Sequence, residues 1–150
     1  MRPLPPGLHD LGTLAPGDHW QTGHVTVSAE RIAEFARLTG DQTALHLCDK
    51  AARAAGFPGQ VAHGLLVVSL IEGLKAQAPV QLATHTALGW EVTFRAPVLA
   101  GGTLSARLRV EEVRRVGAKG LVVLAVEGWT ETRVLTARAR YFGTFTPAGA

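Results

Sequence analysis

The stretch "GDQTALHLCDKAARAAGFPGQVAHGLL", from Gly40 to Leu66, gathers Asp41, His46, Asp49 and His63 around a Pro-Gly-Gln turn. Carboxylates and imidazoles are the side chains that most often take up and return protons in catalysis. An apolar segment follows them directly. The stretch is therefore either an acid/base site or a polar connection that happens to hold two histidines. By spacing alone, Asp41 reads as a turn or cap residue behind Gly40, and His46 as a partly buried structural histidine. Asp49 reads as the N-cap of a short helix, "DKAARAAG". His63 reads as a residue that holds the loop by hydrogen bonds. Cys48 reads as a buried, inert thiol. Asp41, His46 and His63 could ligate a metal in principle, but no close ligand pair such as His-Glu-x-x-His is present. Neither a metal nor a cofactor is expected.

The elements around these residues must position them. The chain has 150 residues, 47% hydrophobic and 18% charged, which suits one compact domain with its own core. Residues 1–20 are rich in Pro and Gly and read as an extended arm with turns at "LPPG" and "APGD". "TGHVTV" is a candidate strand. "SAERIAEFARLTG" has Ser28 as N-cap, Glu30 in its first turn and an apolar face of Ile32, Phe35 and Ala36, and Gly40 suits a left-handed C-terminal cap. From His63 to Ala78 the pattern predicts a helix that is apolar nearly all round in its first half, so it should be buried on most sides. Pro79 ends it.

The rest reads as strand. In "LGWEVTFRAPV", Leu88, Trp90, Val92 and Phe94 alternate with polar residues and predict one buried face. Leu104, Ala106, Leu108 and Val110 alternate likewise. Short Gly-bearing connections predict antiparallel neighbours. The expected class is α+β, a long antiparallel sheet wrapped around one apolar helix.

Composition narrows the partners. The net charge is +3, and the arginines alternate along strands, which predicts a solvated face. Recognition of nucleic acid would need a tighter basic cluster interleaved with aromatics. No apolar run reaches the ~18 residues of a membrane span. The first residues have no apolar core of a signal peptide, and the single cysteine rules out an internal disulfide. These features point to the cytoplasm.

The residues "FARLTGDQTALHLCDKAARAAGFPGQVAHGLL" resemble the hydratase signature of the MaoC-like dehydratases, the (R)-specific enoyl-CoA hydratases with a hot-dog fold. The resembling positions are Asp41, His46, Asp49, Phe57 and "VAHG" at 61–64. "VTFRAPVLAGGTL" resembles the family's strand-turn-strand, and "LAPGD" its opening segment. The sequence departs from the family at Thr43 and Ala44, where those hydratases usually carry Asn-Pro.

The resemblance implies hydration of an enoyl thioester carried by CoA or a carrier protein. Asp41 and His46 would share the attacking water and handle its protons. An N–H at the start of the apolar helix would meet the thioester oxyanion, with Gly64 allowing close approach. The acyl chain would lie near His63, Leu65, Leu66 and Val67, and Glu72 could border it. Arg95 or Arg53 would meet the CoA phosphates. His85 and Trp90 have weaker claims. A thioesterase and a non-catalytic subunit of a dehydratase remain open on the same fold. Exposed strand edges and the resemblance together imply a homodimer or a multiple of one.

Overall fold

The computed structural model describes residues 1–147 and 149. Its elements are β1 (Gly7–His9), β2 (His19–Gln21), β3 (Val25–Val27), α1 (Ala29–Thr39), α2 (Ala44–Leu47), α3 (Asp49–Ala54), α4 (Gly64–Gln77), β4 (Val80–Leu82), β5 (Thr84–Phe94), β6 (Gly102–Val116), β7 (Lys119–Trp129) and β8 (Arg133–Gly143). The main sheet runs β2-β6-β7-β8-β5, with β3 also paired to β6. Every pairing in it is antiparallel. The sheet curls around α4 as a hot-dog.

Helix α4 is the filling. Leu66, Val67, Ile71 and Leu74 are buried against Leu104, Leu108, Val110, Leu124 and Leu135 of the sheet. A side chain at Gly128 would bring its Cβ to 3.0 Å from Ile71 Cδ1, so this glycine makes room for the helix to seat on β7. Burying one aliphatic side chain of this size contributes roughly 1.5–3 kcal/mol.

Two expectations are corrected by the fold. Residues 1–20 are not a loose arm. Leu4, Leu11, Leu14 and Trp20 are core residues, β1 pairs in parallel with β4, and β2 joins the main sheet. The apolar residues sit among prolines and glycines, too irregularly spaced for a period to show. Helix α4 is covered on most sides, as its pattern predicts, although Leu65 is 68% exposed. Secondly, the apolar face of β5 is only half covered. Phe94 is 52% exposed, because β5 is the last strand of the sheet and has a neighbour, β8, on one side only.

The arginines do alternate onto the solvent face of the sheet. Glutamates stand among them: Arg138 meets Glu111 at 2.9 Å and Arg133 meets Glu127 at 3.6 Å. Exposed pairs of this kind contribute little to stability.

The N-terminal segment is tied down by Asp18, a buried carboxylate. It accepts hydrogen bonds from Arg2 Nε at 2.9 Å and from the Ala15 N–H at 2.9 Å. The Arg2 guanidinium, with the Ala15 amide, holds this carboxyl below its usual range. A lowered folded-state pKa means stability that is present above the ordinary carboxyl pKa and is lost as pH falls through the lowered one. Asp18→Ala is expected to cost about 1–3 kcal/mol in urea unfolding at pH 7. The gap between variant and wild type should narrow on acidification. An equal gap at acid and neutral pH would refute this account.

Candidate functional site

The site is built where α1 ends. Ser28 caps the start of α1 by accepting from Arg31 N, and Gly40 ends it in the left-handed region at φ 80°. That turn delivers Asp41. Thr43 then fixes the carboxylate: its hydroxyl donates to Asp41 Oδ1 at 2.6 Å and its N–H to the same oxygen at 3.2 Å. These two bonds hold the Asp41 carboxyl below its usual range, the hydroxyl first, with His46 and His63 adding smaller effects. Asp41 is therefore ionised at neutral pH. Oδ1 is occupied, and Oδ2 faces His46 Nε2 at 4.0 Å.

His46 lies on the single turn of α2. Its Nδ1 is 2.7 Å from the Val61 carbonyl oxygen, which can only accept, so Nδ1 carries the proton. In the neutral ring the lone pair then sits on Nε2, toward Asp41. A gap of 4.0 Å is too long for a direct hydrogen bond but lets both atoms contact one water.

His63 is buried at the entry to α4. Its Nε2 lies 2.9 Å from the Asp41 carbonyl, so it donates there. The ring stacks on His46 with centroids 3.9 Å apart, and Phe35 of α1 meets it edge-on at 4.9 Å. His63 thus joins α1, the Asp41 turn and α4, as the spacing suggested. Its Nδ1 is buried without a hydrogen-bond partner.

The Pro-Gly-Gln turn is stitched to the same group. Gln60 donates through its side chain to the His46 carbonyl at 2.6 Å, and its N–H reaches Asp49 Oδ1 at 2.8 Å. Asp49 is thus the first residue of α3 and a brace for this turn. Cys48 occupies the cap position instead, and it is exposed rather than buried. It falls where α2 gives way to α3 on the outside of the overhang. Gln60 and Thr43 are the residues that spacing did not single out. Thr43 stood out only as a departure from a pattern.

A cavity of about 400 Å³ opens at the start of α4, lined by Gly64, Val67, Phe57, Phe94, Arg95 and Val98 among others. Gly64, Val67 and Arg95 are therefore brought together. Leu65 and Leu66 are not: Leu65 turns to solvent and Leu66 into the core. Successive helix residues point ~100° apart, so the neighbours of Gly64 cannot share its side. A side chain at Gly64 would put its Cβ 2.5 Å from the tip of the Phe94 ring, which would have to swing aside. Arg95 Nε is bonded to Thr136 Oγ1 at 3.0 Å, while Arg53 donates to the Pro58 carbonyl at 3.3 Å, outside the cavity lining. His85 bonds only to its neighbour Thr86.

Ligand atoms of Asp41, His46 and His63 lie within 4.8 Å of one another. A metal ion prefers to lie in the plane of each imidazole that binds it. The two rings here are stacked with only 23° between their planes, so their in-plane lone pairs run side by side instead of converging. The arrangement suits proton handling better than coordination.

The family described as "MaoC like domain" matches residues 13–131. The (R)-specific enoyl-CoA hydratase of Aeromonas caviae is 33% identical over 87 residues, which cover 57% of this chain and 63% of that protein. The 3-hydroxyacyl-thioester dehydratase Z of Mycobacterium tuberculosis is 31% identical over 112 residues, covering 72% and 74%. Among solved structures, the monoamine oxidase regulatory protein from Archaeoglobus superposes with a TM-score of 0.83 at 26% identity, over 93% of this chain and 98% of that one. The A. caviae (R)-hydratase superposes at 0.74 and 26%, over 89% and 98%.

If His63 is the clamp of the site, His63→Phe should keep the stack but lose the bond to the Asp41 carbonyl. We expect a loss of about 0.5–1.5 kcal/mol in urea unfolding, the net worth of one partly buried hydrogen bond. Unchanged stability would mean that the bond does not hold the turn.

Proposed function

The chain belongs to the MaoC-like family, and on that premise we propose that it is a hydro-lyase that adds water across a trans-2-enoyl thioester or removes it from the (R)-3-hydroxyacyl product. The observation that carries this reading is the pairing of Asp41 Oδ2 with the unprotonated Nε2 of His46, next to a helix start with no side-chain cap.

The geometry gives each group a role. Water held between the two atoms attacks C3 of the enoyl group. His46 Nε2 is the base, since its lone pair is fixed there by the Val61 carbonyl. Asp41, made a weak base by Thr43, stays ionised, orients the water and stabilises the imidazolium that forms. Negative charge moves to the thioester oxygen. The N–H groups of Gly64, Leu65 and Leu66 precede the first closed turn of α4, in which the Val67 N–H meets the His63 carbonyl. The Gly64 N–H faces the charge, aided by the helix dipole. The imidazolium then returns its proton to C2, and the enzyme is regenerated. The acyl chain lies by Val67 and Phe94, and Arg95 stands close enough to the cavity mouth for the CoA phosphates.

We also propose a homodimer in one domain per chain. Strand β5 ends the sheet with an open edge, and Leu65 and Phe94 present apolar surface beside it. Natural proteins cover such edges, and a second copy does so by extending the sheet. Light scattering at micromolar concentration should give twice the chain mass. A monomeric mass would sink this part.

For the chemistry, enoyl absorbance should fall when crotonyl-CoA is added, without release of free thiol. Thiol release instead would indicate a thioesterase. Asp41→Asn and His46→Gln should each lower kcat by roughly 10²–10⁴-fold, and the double variant should fall well short of the product. Full turnover by Asp41→Asn would overturn the assignment. Thr43→Val removes the hydroxyl that depresses the Asp41 carboxyl, so that pKa rises. If Asp41 must be ionised, the acid limb of kcat/KM should move to higher pH.

A further inference from the structure

One buried ring is left unused by this chemistry. His63 is 3% exposed, and its Nδ1 has no hydrogen-bond partner. Its Nε2 donates to the Asp41 carbonyl oxygen at 2.9 Å, so in the neutral ring the lone pair lies on Nδ1. A second proton there would be a buried N–H donor without an acceptor, which the fold disfavours. As a clamp on the Asp41 turn, His63 needs only the Nε2–H. A side-chain amide could supply the same bond, so the clamp does not account for an aromatic ring.

The ring is laid flat on His46. The two imidazoles stack with centroids 3.9 Å apart and 23° between their planes. Phe35 of α1 meets His63 at 4.9 Å and 63°, so the ring is held from a second element as well. The stack matters once His46 works. In the proposed hydration, a reading on which this inference rests, His46 Nε2 takes one proton from the attacking water while the water oxygen bonds to C3. His46 then carries a positive charge and an N–H on each nitrogen. Nδ1–H keeps the Val61 carbonyl, and Nε2–H points toward Asp41. The two edges of the cation are thus provided for, and its face is left to His63. A cation over a neutral aromatic face is attracted by the π electrons. A second positive ring at 3.9 Å would repel it instead. His63 can serve only as a neutral ring, and the partnerless Nδ1 keeps it neutral.

We infer that His63 is a positioning residue of the hydration, a neutral aromatic face that stabilises the His46 imidazolium as it forms. His63 exchanges no proton itself. The proton that His46 takes goes on to C2, and His63 is the same before and after.

Two variants separate the face from the bond. His63→Gln can still donate an N–H to the Asp41 carbonyl but has no ring. His63→Phe keeps a ring against His46 but cannot donate. With crotonyl-CoA, His63→Gln should lower kcat roughly ten-fold and leave KM within about two-fold of wild type, the scale of a cation on an aromatic face largely shielded from water. His63→Phe should keep kcat within about three-fold of wild type, although it is the less stable of the two in urea. The reverse order, with His63→Phe slow and His63→Gln fast, would make His63 a clamp alone and overturns the inference. Equal loss in both variants, or no loss in either, overturns it too. Imidazole ¹⁵N NMR gives a readout that needs no substrate. At neutral pH, wild-type His63 Nδ1 should give the signal of an unprotonated ring nitrogen, and a protonated Nδ1 overturns the inference. On acidification, His46 should accept its proton at a lower pH in His63→Gln than in His63→Phe. Asp41, the charged group that faces His46, is common to both. If wild type turns over no enoyl-CoA, the hydration reading has failed by itself. The titration then decides whether the face stabilises the imidazolium, and coincident curves in the two variants overturn it.

Discussion

The constraint on which the rest depends is the burial of α4. Its first half has almost no polar surface, so the helix cannot sit at the edge of the fold. A curled sheet is the surface that covers most of such a helix, and the long β6, β7 and β8 supply it. Once α4 is enclosed, its N-terminus must emerge at one rim of the sheet. The chain that feeds it must cross that rim. Hence the polar segment 40–63 lies over the start of a buried helix, where the first peptide N–H groups have no partner within the helix. The chemistry follows from that placement and not from any residue acting alone.

The two histidines show how such a segment keeps its shape. Each commits one ring nitrogen to a main-chain carbonyl, His46 to Val61 and His63 to Asp41. These bonds cross-link the ends of the overhang and fix both tautomers. Gln60 adds a third link through the His46 carbonyl. A loop held at its own peptide groups can present a carboxylate and an imidazole at 4.0 Å without packing either into the core. The unsatisfied Nδ1 of His63 is a cost of this design, offset by stacking on one face and Phe35 on an edge.

Much of this was legible in the sequence because it rests on local rules. The Ser28 and Gly40 caps, the extent of α1 and α4, and the alternation of β6 follow from period and turn chemistry. What was not legible depends on distant partners. Leu4 and Trp20 are core residues because β6 and β4 come to meet them, and nothing in "MRPLPPG" says so. The half-open face of β5 follows from strand order, which periodicity does not contain. That Leu65 and Leu66 leave the cavity is helix geometry, but the phase of α4 against the sheet had to be seen. Cys48 is exposed because α2 and α3 break at it, although cysteine composition alone argues for burial.

The Thr43-Ala44 pair can now be weighed physically. Thr43 is the residue before α2 and Ala44 its first residue, so the usual Asn-Pro would be an N-cap followed by a first-turn proline. Proline there is favoured because its φ is already helical and no N–H is wasted. Alanine adopts the same conformation and gives up only that preorganisation, roughly 0.4–1 kcal/mol. Threonine is also a capping type, yet it makes no cap bond here. Its hydroxyl turns back to Asp41 Oδ1 instead. The substitution therefore exchanges a bond within α2 for one on the carboxylate. The helix start is left looser, and Asp41 is held ionised with one oxygen already satisfied. Only Oδ2 is left to engage a water, on the side where His46 stands. The departure from the family pattern thus narrows what Asp41 can do, and in the proposed hydration it leaves proton transfer to His46.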